Sequence, residues 1–234
     1  MAASIEVFGR RNSANVQKVM WVLGELGLSY QRHDVAGTFG VPPGYSELNP
    51  NPIVPTIRDG DLTLWESNAC VRYLSREYGG LEDHKANANQ PVLWPQDRNT
   101  LAHADQWMEW QRSDLSAGFF PMFMNMIRIP QDKANVKAIE RGVQGCNRAF
   151  VQLDAHLAHH TYVAGEQLTM GDIPLGPMVY RYLAMQIERP ELPNLQAWYQ
   201  RLTERPAYQR HVMIPFGNNL AEWEELERGG AGVQ

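Results

Sequence analysis

The stretch NPNPIVPTIRDGDLTLWES, residues 49–67, decides the fold. Two short runs, 55–58 and 62–65, flank Asp59-Gly60, and Asp-Gly between such runs signals a hairpin turn. Pro55 sits at the onset of the first run. It has no N–H to give a ladder, so it places that onset at an edge or a bulge. After the hairpin, ESNACVRYLSREYGG (66–80) has the helical period and stops at Gly79-Gly80. Upstream, SIEVF (4–8) reads as a strand and GRRNSAN (9–15) as a polar turn. VQKVMWVLGELG then carries apolar residues at 16, 19, 20, 23 and 26, which is a helix ending at Gly27. SYQRHDV (29–35) alternates as a second strand. Strand–helix–strand implies a parallel pair with a right-handed crossover. Residues 1–80 therefore read as an α/β domain of order βαβ–ββα.

Beyond the hairpin domain the character changes. LEDHKANANQPVLWPQ (81–96) is polar and proline-containing and reads as a linker. An all-α domain follows over 97–215, with helices expected at about 97–118, 119–127, 132–160, 171–187 and 194–204. Thr169 and Asp172 form a box that would cap the helix from 171. Residues 216–234 form a C-terminal tail, of which EELERGGAGVQ (224–234) is expected to fray.

Composition narrows the function classes. The net charge is −5, so no broad basic surface for nucleic acid is expected. LSAGFFPMFMNMI (115–127) is too short to span a bilayer, and MAASIEVFGRR has no apolar run after its charges. A soluble, cytoplasmic protein without a membrane partner is the expectation. Cys70 and Cys146 lie far apart with no CxxC, against a disulfide framework or a dithiol motif. His156 and His160 are spaced i,i+4, but no third ligand accompanies them, so no metal site is expected.

Two local features carry possible chemistry. A strand opened by Pro55 can leave the N–H and C=O of Val54 unpaired, ready to take an extended peptide as an extra strand. Next to it, Glu66-Ser67 stands at a helix N-terminus, where free N–H groups and the dipole favour a carboxylate. A tight turn and an ordinary helix cap are the simpler reading of the same residues, and on the stretch alone that reading comes first.

The whole chain weighs on that choice. Over about residues 4–215 it resembles the cytosolic glutathione transferases, within them the serine-type, theta-like bacterial group. Ile53-Val54-Pro55 matches the segment in which the residue before a cis-proline pairs its backbone with the cysteinyl part of glutathione. Glu66-Ser67 matches the pair that holds the γ-glutamyl end. GEQLTMGD (165–172) resembles the second-domain capping motif, and ADQWMEWQR (104–112) the fourth helix of theta-like members. The resemblance implies a thioredoxin-like first domain, glutathione as co-substrate and a homodimer, with Asp105 either reaching the γ-glutamyl amine from the partner subunit or standing as an exposed helix charge.

The same resemblance points to the reacting group. A thiol of pKa about 8.5 is mostly protonated at neutral pH, and lowering it by about two units takes roughly 3 kcal/mol. One charge-assisted hydrogen bond with a helix N-terminus supplies energy of that order. In RRNSANVQK (10–18), Ser13 aligns with the serine that plays this part, and Asn15 either assists or carries the role. The competing reading of Ser13 is a plain helix N-cap, and of Asn15 a first-turn polar residue. Tyr30 and Tyr45 are rival phenols, and Cys70 reads as core. Ile53 stands where the family often has a basic or polar residue. AGTFGVPP (36–43) offers no cation for the glycyl carboxylate, which leaves Arg10, Arg11 and Lys18 as the nearest ones. Met108, Arg112, Leu115 and Phe119 are the candidates for an apolar electrophile pocket, each with a core role as its alternative. The implied activity is conjugation of glutathione to small hydrophobic electrophiles, a detoxification chemistry. Dehalogenation, isomerisation, disulfide or peroxide reduction, and a non-catalytic interaction protein are the alternatives.

Overall fold

A computed structural model of the chain describes residues 5–87 and 90–233. Residues 1–4, 88–89 and 234, which fall in the expected first domain, linker and tail, lie outside the described residues. Strands β1 (Ile5–Phe8), β2 (Tyr30–His33), β3 (Thr56–Asp59) and β4 (Leu62–Trp65) form one sheet of order β2-β1-β3-β4. β1 runs parallel to β2, with Val7 opposite Arg32, and antiparallel to β3, with Val7 opposite Ile57. β3 and β4 form the hairpin about Asp59-Gly60, with Asp59 opposite Leu62. Gly60 has φ +57°, as this tight turn requires. Helix α1 (Ala14–Glu25) makes the crossover, α2 (Tyr45–Leu48) is a single turn, and α3 (Ser67–Tyr78) follows the hairpin. Pro55 precedes β3 and the Val54–Pro55 bond is cis.

Helix α1 is covered all round. Val16, Val19, Met20, Trp21, Val22 and Leu23 are all buried, which marks a helix between two layers rather than one lying on a surface. One face packs on α3 and the sheet, and the other faces the helical domain.

That second domain holds α5 (Arg98–Trp110), α6 (Ser116–Phe123), α7 (Val136–Leu157), α8 (Gly176–Ala184), α9 (Pro193–Thr203), α10 (Pro206–His211) and α11 (Leu220–Gly229), and α4 (Leu81–Ala86) lies in the stretch read as a linker. Two π-helical segments interrupt the long run, Gln111–Leu115 before α6 and Met124–Arg128 after it. The domains meet where Trp21 packs edge-on to Tyr208 at 4.8 Å, and Tyr208 donates to the carbonyl of Gly176 at 2.9 Å.

Several expectations need correction. The helix expected from 171 begins at Gly176, because 170–175 forms turns around Asp172. Asp172 does more than cap. Its buried carboxylate accepts from the N–H of Thr169 and Val163 (both 3.0 Å) and from Nε1 of Trp198 (2.9 Å). Burial pushes its pKa up to about 6 despite these donors. Among the described residues the expected fraying of 224–234 is not seen, since α11 runs to Gly229 and buries Trp223 and Glu227. Arg32 on β2 donates to the carbonyls of Val233 (2.8 Å) and Gly230 (3.2 Å), and Asp34 accepts from the N–H of Gly232 at 2.9 Å. The chain's last segment is thereby strapped to the first domain.

Candidate active site

Ser13 stands at the N-cap position of α1 with φ −71° and ψ 124°, yet its side chain makes no capping hydrogen bond. Only its main chain serves the helix, the carbonyl accepting from Gln17 N at 2.8 Å. The hydroxyl is thus left out of the cap, and Ser13 lines a cavity together with Asn15 and Val54. Among the described residues the N–H and C=O of Val54 have no hydrogen-bond partner. Ile53 is different. Its carbonyl is held by the Tyr45 hydroxyl (2.9 Å) and Asn49 Nδ2 (3.1 Å), while its side chain is 55% exposed. Tyr45 also bonds the Thr56 hydroxyl at 2.8 Å, and burial raises its pKa, so this phenol serves the turn.

At the other end of the hairpin, Glu66 is exposed with φ +70° and ψ 112°. A non-glycine residue held there is strained, and such strain collects at binding sites. Glu66 presents buried Ser67 at the first turn of α3. The Ser67 hydroxyl donates to Asn15 Oδ1 (3.3 Å) and accepts from Lys18 Nζ (3.3 Å). Asn15 is therefore the link between the cavity and the Ser67 seat. Lys18 is fully buried beneath it and also donates to Asn68 Oδ1 and Gln111 Oε1, both at 3.1 Å. Burial drives its pKa down to about 7, with the Glu66 carboxylate opposing the shift. Asp105 is half-exposed on α5 and pairs with Arg72 of its own chain at 2.6 Å.

The cavity has a volume of about 260 Å³. Its first-domain edge is Arg10, Ser13, Asn15 and Val54, and its far wall is Phe120, Phe123, Met124, Arg128, Arg181 and Trp223. None of Met108, Arg112, Leu115 and Phe119 lines it. Met108, Leu115 and Phe119 are buried in the core, and Arg112 points outward to Glu109 at 3.0 Å. Gln111, three residues after Met108 and four after Trp107, shares their buried face, and Arg112 beside it falls outside. The pocket face of α6 is then carried by Phe120 and Phe123.

Of the three cations nearest in sequence, Arg10 borders the cavity and pairs with Glu227 at 2.8 Å. Arg11 turns away to the carbonyl of Arg210 at 3.1 Å, and Lys18 is enclosed under Ser67. Arg181 and Trp223 were missed in the sequence. A lone arginine inside GPMVYRYLA, and Asn219-Leu-Ala-Glu222 as an N-cap with its reciprocal glutamate, were the available signals. Cys70 and Cys146 are buried and free, and burial pushes both thiols up to about 12. His156 is bonded to the carbonyl of Val163 at 2.9 Å, and among the described residues no group of three metal-binding side chains occurs.

Comparison with known proteins places the chain in a family. Residues 12–77 match the family profile of the glutathione S-transferase N-terminal domain, and residues 137–201 that of the C-terminal domain. Glutathione S-transferase GstB of Escherichia coli K12 is 38% identical over 215 residues, covering 90% of this chain and 99% of that protein. A probable glutathione S-transferase of Oryza sativa, GSTF1, is 26% identical, covering 91% and 98%. Among solved structures, the theta class glutathione S-transferase of Xanthomonas axonopodis pv. citri with glutathione bound superposes with a TM-score of 0.83. It is 43% identical, covering 92% of this chain and 99% of its own. Among the described residues no helix is long and apolar enough to cross a membrane. With both family profiles matched in order and a relative of this identity covered along almost its whole length, the chain belongs to the glutathione S-transferase family.

Proposed function

We propose that this chain binds glutathione, stabilises its thiolate and conjugates it to a small electrophile. The observation that carries the reading is the Ser13 hydroxyl, released from helix capping and facing the same cavity as the unpartnered main chain of Val54. In this reading the Val54 N–H and C=O pair with the cysteinyl part of glutathione, which brings the sulfur to Ser13. Glu66 and Ser67 receive the γ-glutamyl end at the N-terminus of α3, where the helix dipole favours its carboxylate. Asn15 orients Ser67 and supports Ser13. Holding sulfur and electrophile together supplies the proximity term, and pre-ionising the thiol supplies the nucleophile. Asp105, half-exposed on the outer side of the seat, suits a homodimer in which it approaches the partner's glutathione. We place the protein in the cytoplasm, in detoxification.

The test is a glutathione titration followed at the thiolate absorbance, for wild type and Ser13→Ala. Wild type is expected to lower the thiol pKa by about two units, equivalent to roughly 3 kcal/mol, and Ser13→Ala to lose most of that shift. A mutant that keeps the shift transfers the role to Asn15, and a wild type that does not bind glutathione rejects the reading.

A further inference from the structure

The far wall of the cavity holds two guanidinium groups that form no ion pair among the described residues. Arg181 on α8 is buried, and its acceptors are neutral, namely the carbonyl of Asn12 (2.6 Å) and Gln17 Oε1 (3.1 Å). Its Nε is buried with no acceptor at all. Arg128, at the end of the π-helical segment after α6, likewise has a buried Nε without an acceptor. Aromatic faces surround both. The Arg181 guanidinium lies 4.8 Å from the Phe123 ring centroid and 5.6 Å from that of Trp223, and Arg128 lies 4.8 Å from Trp223. Arg10 brings a third cation, but Glu227 already neutralises it. No carboxylate is among the groups that act on Arg181, where only the Tyr180 phenol opposes the repulsion of Arg10 and Arg128, whereas half-buried Arg128 feels the Glu227 and Glu224 carboxylates without pairing to either.

A buried cation without an anion is costly, and ring faces and neutral acceptors offset only part of that cost. The missing partner is an anion that fits among aromatic side chains. The two unpaired arginines come from the helical domain, whereas Ser13, Val54 and Ser67 come from the sheet domain. This separation assigns the anion to the second substrate and not to the tripeptide. The volume, about 260 Å³, is below the usual range of drug-sized sites, roughly 300–1,000 Å³, so that substrate is small.

We propose that the electrophile is a small aromatic compound bearing a carboxylate, its ring against Phe123 and Trp223 and its carboxylate between Arg128 and Arg181. The inference rests on the thiolate chemistry proposed above. For a chloro-nitroarene carboxylate the thiolate sulfur attacks the ring carbon that bears chlorine. The C–S bond forms, the C–Cl bond breaks, and chloride leaves with the bonding pair. The thiol proton has already passed to solvent.

The experiment compares chlorodinitrobenzoate, with chlorine para to the carboxylate, against its methyl ester. Each enzymatic kcat/KM is divided by the uncatalysed rate constant with glutathione. Wild type is expected to favour the carboxylate by about 10-fold to 100-fold, the worth of one charge-assisted hydrogen bond. In Arg128→Met that preference falls toward unity. Arg181→Lys, which keeps the charge that ties α8 to Asn12 and Gln17, reduces the preference without removing it. Turnover of both compounds with a ratio near one overturns the proposal and leaves the transferase reading standing. An unchanged ratio in Arg128→Met, with the glutathione KM raised equally for both electrophiles, also overturns it, since the arginines then hold the glycyl carboxylate. Failure to turn over either compound, with no lowering of the glutathione thiol pKa, rejects the transferase reading and this proposal with it.

Discussion

Lys18 is the residue whose protonation matters most to the seat it supports. Its folded pKa, driven down to about 7, lies below the ordinary 10.5 of an unfolded lysine. Below pH 7 both states are protonated and the burial cost is fully present. Between about 7 and 10.5 the unfolded chain binds one proton more than the folded one, so stability rises with pH in that window. The slope is up to about 1.4 kcal/mol per pH unit for one proton. Urea unfolding at pH 7, 8 and 9 should show wild type gaining on Lys18→Met as pH rises. Parallel curves would mean that the ammonium is not desolvated in the folded protein. None of this was legible in RRNSANVQK, where Lys18 reads only as one of the three cations nearest the glycyl carboxylate. Burial of a polar residue depends on a second layer, here α5 and Gln111, that the local pattern does not announce. Ser13 and the Glu66-Ser67 pair were legible, because each sits at a helix start that the sequence marks.

At the scale of elements, the hairpin, its turn and α3 followed from alternation, Asp-Gly and the double glycine. The pocket-facing side of the helical run did not. Met108, Leu115 and Phe119 share a buried face, but that face is turned to the core, and which side of a helix meets a cavity depends on the layer packed against it. What fixes α6 once its phase is set is a close fit with α7. A Cβ placed on Gly142 would lie 2.6 Å from Met122 Cβ and 2.8 Å from the carbonyl oxygen of Gly118. Gly142→Ala gains about 1 kcal/mol in helix propensity and loses about 1–3 kcal/mol to overpacking against atoms that cannot rotate away. The clash is expected to win, lowering Tm by about 2–8 °C in a thermal scan. A raised Tm would show that α6 and α7 can separate, and the pocket wall with them.

At the scale of the molecule, α11 joins the two domains at the cavity. It contributes Trp223 to the wall and Glu227 to Arg10, and the segment behind it caps Arg32. A chain ended after Gly217 should retain glutathione binding by calorimetry but fail to saturate with the carboxylate electrophile. Trp223→Leu, which leaves the helix in place, should likewise weaken saturation by the electrophile and leave glutathione binding unchanged. Loss of glutathione binding along with the electrophile, in a protein of native circular dichroism, would contradict the division of the site between the domains. Fraying was expected of 224–234 from its place at a terminus, and contacts from Arg10, Arg32 and Asp34 far back in the chain hold the described part of it.

The strap also sets an order of events during synthesis. Ser13, Val54 and Ser67 have all left the ribosome long before residues 220–233 emerge. At translation rates of about 5–20 residues per second the interval is roughly 8–30 s. If those residues hold glutathione as proposed, a nascent chain carries for that time a half-site with no electrophile pocket, and thiolate exposed there would be an unselective nucleophile. Closure by the last helix is then what turns a reactive fragment into a selective enzyme.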